Sequence, residues 1–154
     1  MANKIGRASV GLLTDVDTAA RNAVGTSYFD EAGYEYIYLQ GIANTVVGSV
    51  VTFGLSATPF ITALSVTGVR GPVAISLSAT LAAQFGWYQI YGIGSALFNG
   101  AAVAGACCFS ASTGKCDDAV VTGDRIDGMN VAATVGSAVL GTVFLNFPAM
   151  NNGG

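Results

Sequence analysis

The side chains able to do chemistry are few and grouped. Acidic residues pair at Asp15/Asp17, Asp30/Glu31 and Asp117/Asp118, and Asp124 and Asp127 flank Arg125. Paired carboxylates are raw material for general acid–base catalysis, because like charges held close push their protonation apart. Each pair here falls in a segment read below as an arm or a turn, where acids cap backbone amides and stay solvated. The Asp-x-x-Asp step lacks the further oxygen ligands of a calcium loop, so ion pairing with Arg125 is the simpler use. Cys107, Cys108 and Cys116 offer thiolates, but the chain has no histidine. That removes the commonest general base and the commonest metal ligand together, and a zinc site would need an unusual carboxylate set. An odd cysteine count with a vicinal pair does not read as a secreted disulfide framework. Reduced thiols acting as small buried hydrophobes are expected instead. Gly92-Ile93-Gly94-Ser95 follows a strand, yet no helix with a phosphate-binding fingerprint follows it. The expectation is a non-enzyme with no cofactor and no metal.

Composition says what must surround these residues. Between Glu35 and Lys115 the only charged residue is Arg70. Over the whole chain charged residues are 10% and apolar ones 52%, against about 25% charged in an ordinary globular protein. So little ionic surface suits a protein whose exterior is covered by other subunits. With a net charge of −3, no basic face is expected to meet phosphates, which argues against nucleic acid as a partner. The first residues, Met1 to Arg7, lack the continuous apolar run of a signal peptide. Residues 45–64 are uncharged and long enough to span a bilayer, but Pro59, the repeated Ser and Thr and the β-branched pattern argue against a helix there. No membrane association is expected.

The elements read as an all-β chain in three parts. Residues 1–24 hold Lys4, Arg7 and Arg21, three of the six basic residues, and read as an arm that is either extended or starts a short helix at Thr14. Residues 25–148 read as one domain of short antiparallel strands, forming a small barrel or β-tulip or a sandwich. Residues 149–154 are expected to fray, with Pro148 ending strand pairing.

Within the domain, Asp30-Glu31-Ala32-Gly33 suits a type I turn closing into a glycine bulge, followed by a strand through Gln40. Period-2 alternation puts Tyr34, Tyr36 and Tyr38 on one face of that strand and Glu35, Ile37 and Leu39 on the other. The tyrosines are either ordinary cross-strand packing or a face that meets a partner. Strands are expected over residues 46–53, 60–66, 73–77, 86–92, 103–109, 116–121, 129–133 and 139–147, with residues 81–84 as a helical turn or strand end. Trp87 is expected in the core or at the heart of an interface. Arg70, alone in its neutral span, should meet a carboxylate or carbonyls within the chain or on another subunit. The candidate interface set is thus Tyr34, Tyr36, Tyr38, Arg70 and Trp87, with Arg7 and Arg21 from the arm. An internal echo runs at an offset of 55: Gly68-Val69-Arg70 against Gly123-Asp124-Arg125, and Phe85-Gly86-Trp87-Tyr88 against Leu140-Gly141-Thr142-Val143. It reads as two related strand sets in one domain.

Several fragments together resemble the decoration, or cement, proteins of tailed-bacteriophage capsids. They are Val24-Gly25-Thr26 with Asp30 to Gln40, Gln84 to Gly92, Phe109 to Asp118, and Gly141 to Pro148. Val24 stands where the family has leucine, and the cysteines depart from its pattern. The resemblance implies a β-barrel or β-tulip domain that trimerises on the outer surface of a capsid, with the major capsid protein as partner. It also implies an arm that contacts capsid subunits and a virion location after assembly in the host cytoplasm. The composition equally suits another β-rich virion component, such as a tail protein, a head-fibre base or a receptor-binding module, and less well a membrane-embedded protein.

Overall fold

The computed structural model describes residues 11–54, 57–58 and 60–150. They form ten strands and, among the described residues, no helix. In chain order these are β1 Ser27–Phe29, β2 Glu35–Gln40, β3 Val50–Thr52, β4 Ala63–Leu64, β5 Gly71–Ser76, β6 Phe85–Leu97, β7 Cys107–Ser110, β8 Cys116–Asp117, β9 Arg125–Val131 and β10 Leu140–Met150. All pair antiparallel in one sheet along the path β1-β2-β6-β5-β10-β9-β7-β8. β3 joins β5 and β4, and β6 also pairs with β10. The chain is all-β, as expected. The path ends at β1 and β8, so the sheet is open along it, while β5, β6 and β10 each pair with the other two.

Local chemistry explains the first hairpin. Asp30 Oδ1 accepts the Tyr34 amide at 2.9 Å, the Asp30 carbonyl accepts the Gly33 amide at 3.1 Å, and Gly33 takes φ 81°. That is the turn the Asp-x-x-Gly spacing predicts. Elsewhere turns cut the expected strands short. Gly48, at φ 82°, carries the chain through a turn in which the Ser49 amide meets the Val46 carbonyl, so only Val50–Thr52 pair. Residues 81–84 close a turn, with Gln84 Oε1 accepting the Leu81 amide at 2.8 Å. The short helix considered after Thr14 does not form: the Leu12 amide bonds Asp15 Oδ2, and Asp17 bridges to Phe85 instead.

The expectation that Pro148 ends pairing is corrected. β10 has a bulge between Leu145 and Ala149, with Phe147 at φ 47°, and pairing resumes beyond it. Ala149 sits opposite both Pro72 of β5 and Asp127 of β9, and Met150 is buried. A bulge lets a proline lacking its N–H sit in a paired strand. The expected fray therefore does not include Ala149 and Met150.

The internal echo has a structural counterpart. Ile75 pairs with Gln89 and Ser76 with Tyr88; 55 positions on, Asn130 pairs with Phe144 and Val131 with Val143. Gly68 and Gly123 both take left-handed φ at the bends before β5 and β9. Gly92 and Phe147, also 55 apart, both take positive φ where the long strands kink. β5–β6 and β9–β10 are thus two copies of one strand pair in one register. The copies touch at their bends, where buried Asp124 accepts the Gly68 amide at 2.7 Å.

Three apolar clusters share the load. The largest packs Val50, Val73, Ile75, Phe98, Cys108, Cys116, Ile126, Met129, Val143 and Leu145 with their neighbours. A second sets Ile37 and Leu39 of β2 against Val51, Ala74, Tyr88 and Ile90. On the opposite face of β2, Tyr36, Tyr38 and Trp87 pack with Leu13, Tyr28, Tyr34, Leu77 and Phe85. β2 is therefore buried on both faces, one of them under residues of the arm.

Candidate functional site

The sequence-predicted interface residues fall into two groups. Tyr36, Tyr38 and Trp87 come together, but as an interior. All three are buried, with Tyr38 and Trp87 rings 5.1 Å apart and Tyr38 and Phe85 rings stacked at 6.2 Å. Tyr28 closes the group, 6.0 Å from Trp87 and 6.3 Å from Tyr36. The reading of this tyrosine face as a partner surface is corrected: the chain covers it itself, with Leu13, Asp17 and Arg21 of the arm together with Tyr28, Tyr34 and Phe85 of the domain. Tyr34, half-buried, lies over Gly92, where even a Cβ would collide with its ring.

The arm is fastened by polar contacts at the edge of this box. The Asp17 and Phe85 backbones exchange two hydrogen bonds of 2.9 Å. The Tyr38 hydroxyl donates to Asp17 Oδ2 at 2.6 Å and accepts the Arg21 amide at 3.1 Å. Arg21 pairs with Asp17 at 2.8 Å and Asp15 at 3.6 Å. Burial and the bond to Asp17 push the Tyr38 phenol up to about 12. Burial and Asp30, which accepts the Tyr36 hydroxyl at 3.0 Å, push Tyr36 up further. These phenols are locked donors rather than acids or bases near neutrality. Arg21, an expected partner contact, is instead the clasp of its own arm. Arg70 is exposed at the start of β5, apart from this group, and Arg7 lies outside the described residues.

The remaining chemistry-bearing side chains have structural uses. Asp118 accepts the Val103 amide, Asp117 accepts the Ala119 amide, and Asp127 pairs with Arg125 at 2.9 Å as its spacing suggested. The three cysteines are free thiols, and Cys108 and Cys116 lie in the main core. The neighbouring Cys108 thiol and burial push the Cys116 thiol well up, the reverse of an activated nucleophile. Among the described residues no three His, Cys, Asp or Glu side chains gather as a metal site, and no helix is long and apolar enough to cross a membrane.

What sequence reasoning missed is the uncovered face of the long strands. Beyond Gly92, β6 pairs with β10 so that Ile93 faces Phe144, Ser95 faces Thr142 and Leu97 faces Leu140. Gly94, Ala96, Val143 and Leu145 alternate toward the inside. Ile93, Leu140, Phe144 and Phe147 are 43, 47, 42 and 56% exposed. The Tyr91 ring stacks on Phe147 at 5.4 Å and meets Phe144 edge-on at 6.3 Å. Phe147 and Pro148 also border an apolar groove of ≈ 350 Å³ with Phe53, Pro72, Val73 and Ile90. The signal was present: apolar residues on both phases of the period-2 pattern mark a strand that needs cover on both faces.

Comparison with known proteins locates the fold and nothing finer. No family model matches the chain, and neither does any curated protein sequence. Among solved structures, the chain is similar to the N base of the head fiber gp8.5 of bacteriophage phi29. The TM-score is 0.56 at 5% identity, covering 72% of this chain and 92% of that one. At that identity the likeness is one of fold.

Proposed function

We propose that this chain is a non-enzymatic structural component of a phage virion, held on the outside of the head as part of a homo-oligomer. The observation that carries this reading is the fold shared with the N base of a head fiber over nearly all of that solved chain. The residues agree with it. The acids and thiols are spent on turns, ion pairs and core, the arm is fastened to its own domain, and the largest unmet need is cover for an apolar sheet face. The fold likeness favours the base of a head appendage over a cement protein. The cement reading, with its contact to the major capsid protein and its trimer, keeps the support of the sequence fragments that resemble that family. In both, binding rests on apolar and main-chain contacts over large interfaces, since the chain offers few charges for steering.

The test is co-purification with particles. Virions banded by density from cells expressing a tagged copy should carry the chain in fixed stoichiometry through a high-salt wash. Labelled antibody should mark the head exterior. If the chain stays with the unassembled fraction, the proposal is wrong. Particles lacking it that burst sooner under osmotic or heat challenge favour cementing; particles of unchanged stability favour an appendage base.

A further inference from the structure

We infer that the outer face of the β6–β10–β9–β7 ladder is the surface through which copies of this chain associate, with Phe144 at its centre. The inference rests on the structural-component reading for its biological purpose, while its geometry stands alone. One cross-strand row defines the face. Ile93 lies opposite Phe144, Phe144 opposite Asn130, and Asn130 opposite Cys107. The Asn130 side-chain amide reaches the Cys107 sulfur at 3.8 Å. The flanking rows add Tyr91 with Asn146 and Ser95 with Thr142. Around Phe144 these rows carry apolar groups, hydroxyls and amides; the charges on the same face of β9, Arg125 and Asp127, pair with each other at 2.9 Å.

Three observations point to a second copy as the occupant. First, the charge pattern: a face whose charges are one mutually paired arginine and aspartate meets its own copy without net repulsion, whereas a strongly basic or acidic partner finds little there to complement. Copies can meet around Phe144 while the half-exposed Arg125–Asp127 pair stays at the border of the contact. Second, the area: the exposed parts of Ile93, Leu140, Phe144 and Phe147 with their neighbours come to roughly 400–500 Å² of apolar surface, about the apolar share of the ~800 Å² each partner contributes to a stable interface. Third, Phe147 is exposed yet held at φ 47°, a region bulky residues rarely adopt, while the equivalent kink in β6 uses Gly92.

Cys107 gives a test on the unaltered protein. It is half-buried within the row, whereas Cys108 and Cys116 are fully buried. In the associated state its reaction with a maleimide should slow at least tenfold relative to protein diluted to monomer. Sedimentation velocity should show multimers at micromolar concentration. Phe144→Arg and Ile93→Arg should shift them to monomer with the β circular dichroism intact. Val120→Arg, at a position 82% exposed and outside the row, should leave them unchanged. A wild-type monomer at all concentrations, undiminished multimers in both arginine variants, or equal Cys107 labelling in multimer and monomer would each overturn the inference. Should an arginine variant unfold, the wild-type labelling decides alone. Particle binding by a chain that proves monomeric would sink this face and leave the virion reading standing.

Discussion

The two halves of β6 face the same problem and solve it differently. From Gly86 to Ile90 every residue is buried, because the arm lies over one side and the second cluster fills the other. From Ile93 to Leu97 the strand is equally poor in charge, yet Ile93 and Ser95 are exposed and only the inner phase is covered. An apolar strand does not say who covers it. Leu13, Asp17 and Arg21 of the same chain's arm, with Tyr28 and Tyr34, cover the first half; nothing among the described residues covers the second. A protein can thus carry one surface closed for folding and one left open for assembly, written in nearly the same residues.

The sharpest way to break the contrast is to truncate at the closed half. Trp87→Ala should cost about 3–5 kcal/mol, the range for emptying a large aromatic site, read as a lowered denaturation midpoint with unchanged slope. A loss under 1 kcal/mol would mean the aromatic box is not core. Next, Tyr38→Phe leaves Asp17 and the Arg21 amide without their shared hydroxyl and should cost about 1–2 kcal/mol. It should also loosen the arm, seen as faster proteolysis near Arg21.

A pH series sharpens the same point. Because Tyr38 holds its proton up to about 12 when folded, against an ordinary 10.0, the folded chain keeps a proton that the unfolded chain releases above pH 10. Its contribution is therefore full below pH 10 and lost between pH 10 and about 12. Tyr36 and Tyr88 shift in the same direction, so Tyr38→Phe should flatten the alkaline fall without abolishing it. An unaltered profile would remove Tyr38 from the explanation. At the open half, Phe144→Arg should change monomer stability by about 0.5 kcal/mol or less while weakening association at least tenfold. The smallest effect belongs to Arg21→Ala, whose half-exposed ion pairs should contribute about 0.2–1 kcal/mol and fade with salt.

How much of this was legible in the sequence follows from which signals are local. The Asp30–Gly33 turn, the strand centres around Tyr36, Ile75 and Trp87 and the Gly-x-Arg echo were readable because turn chemistry and period-2 alternation act within a few residues. The lengths of β3 and β4 were not, since Gly48 reads as a strand residue until its left-handed turn is seen. Pro148 misled because a bulge at Phe147 supplies the tolerance that the rule against proline assumes absent. The tyrosine face misled for a different reason. Alternation showed that Tyr34, Tyr36 and Tyr38 share a side, but whether the arm or a partner covers that side depends on a contact between Asp17 and Phe85, 68 residues apart in sequence. The outer row of Ile93 and Phe144 stayed hidden because it needs the register of four strands at once.

The most direct test of the whole account is a difference map. Electron cryo-microscopy of heads purified with and without this chain should show added density outside the shell, into which several copies fit with their Phe144 faces turned toward one another. Maps that superimpose with no external difference, or density in which each copy stands alone with that face in solvent, would contradict it.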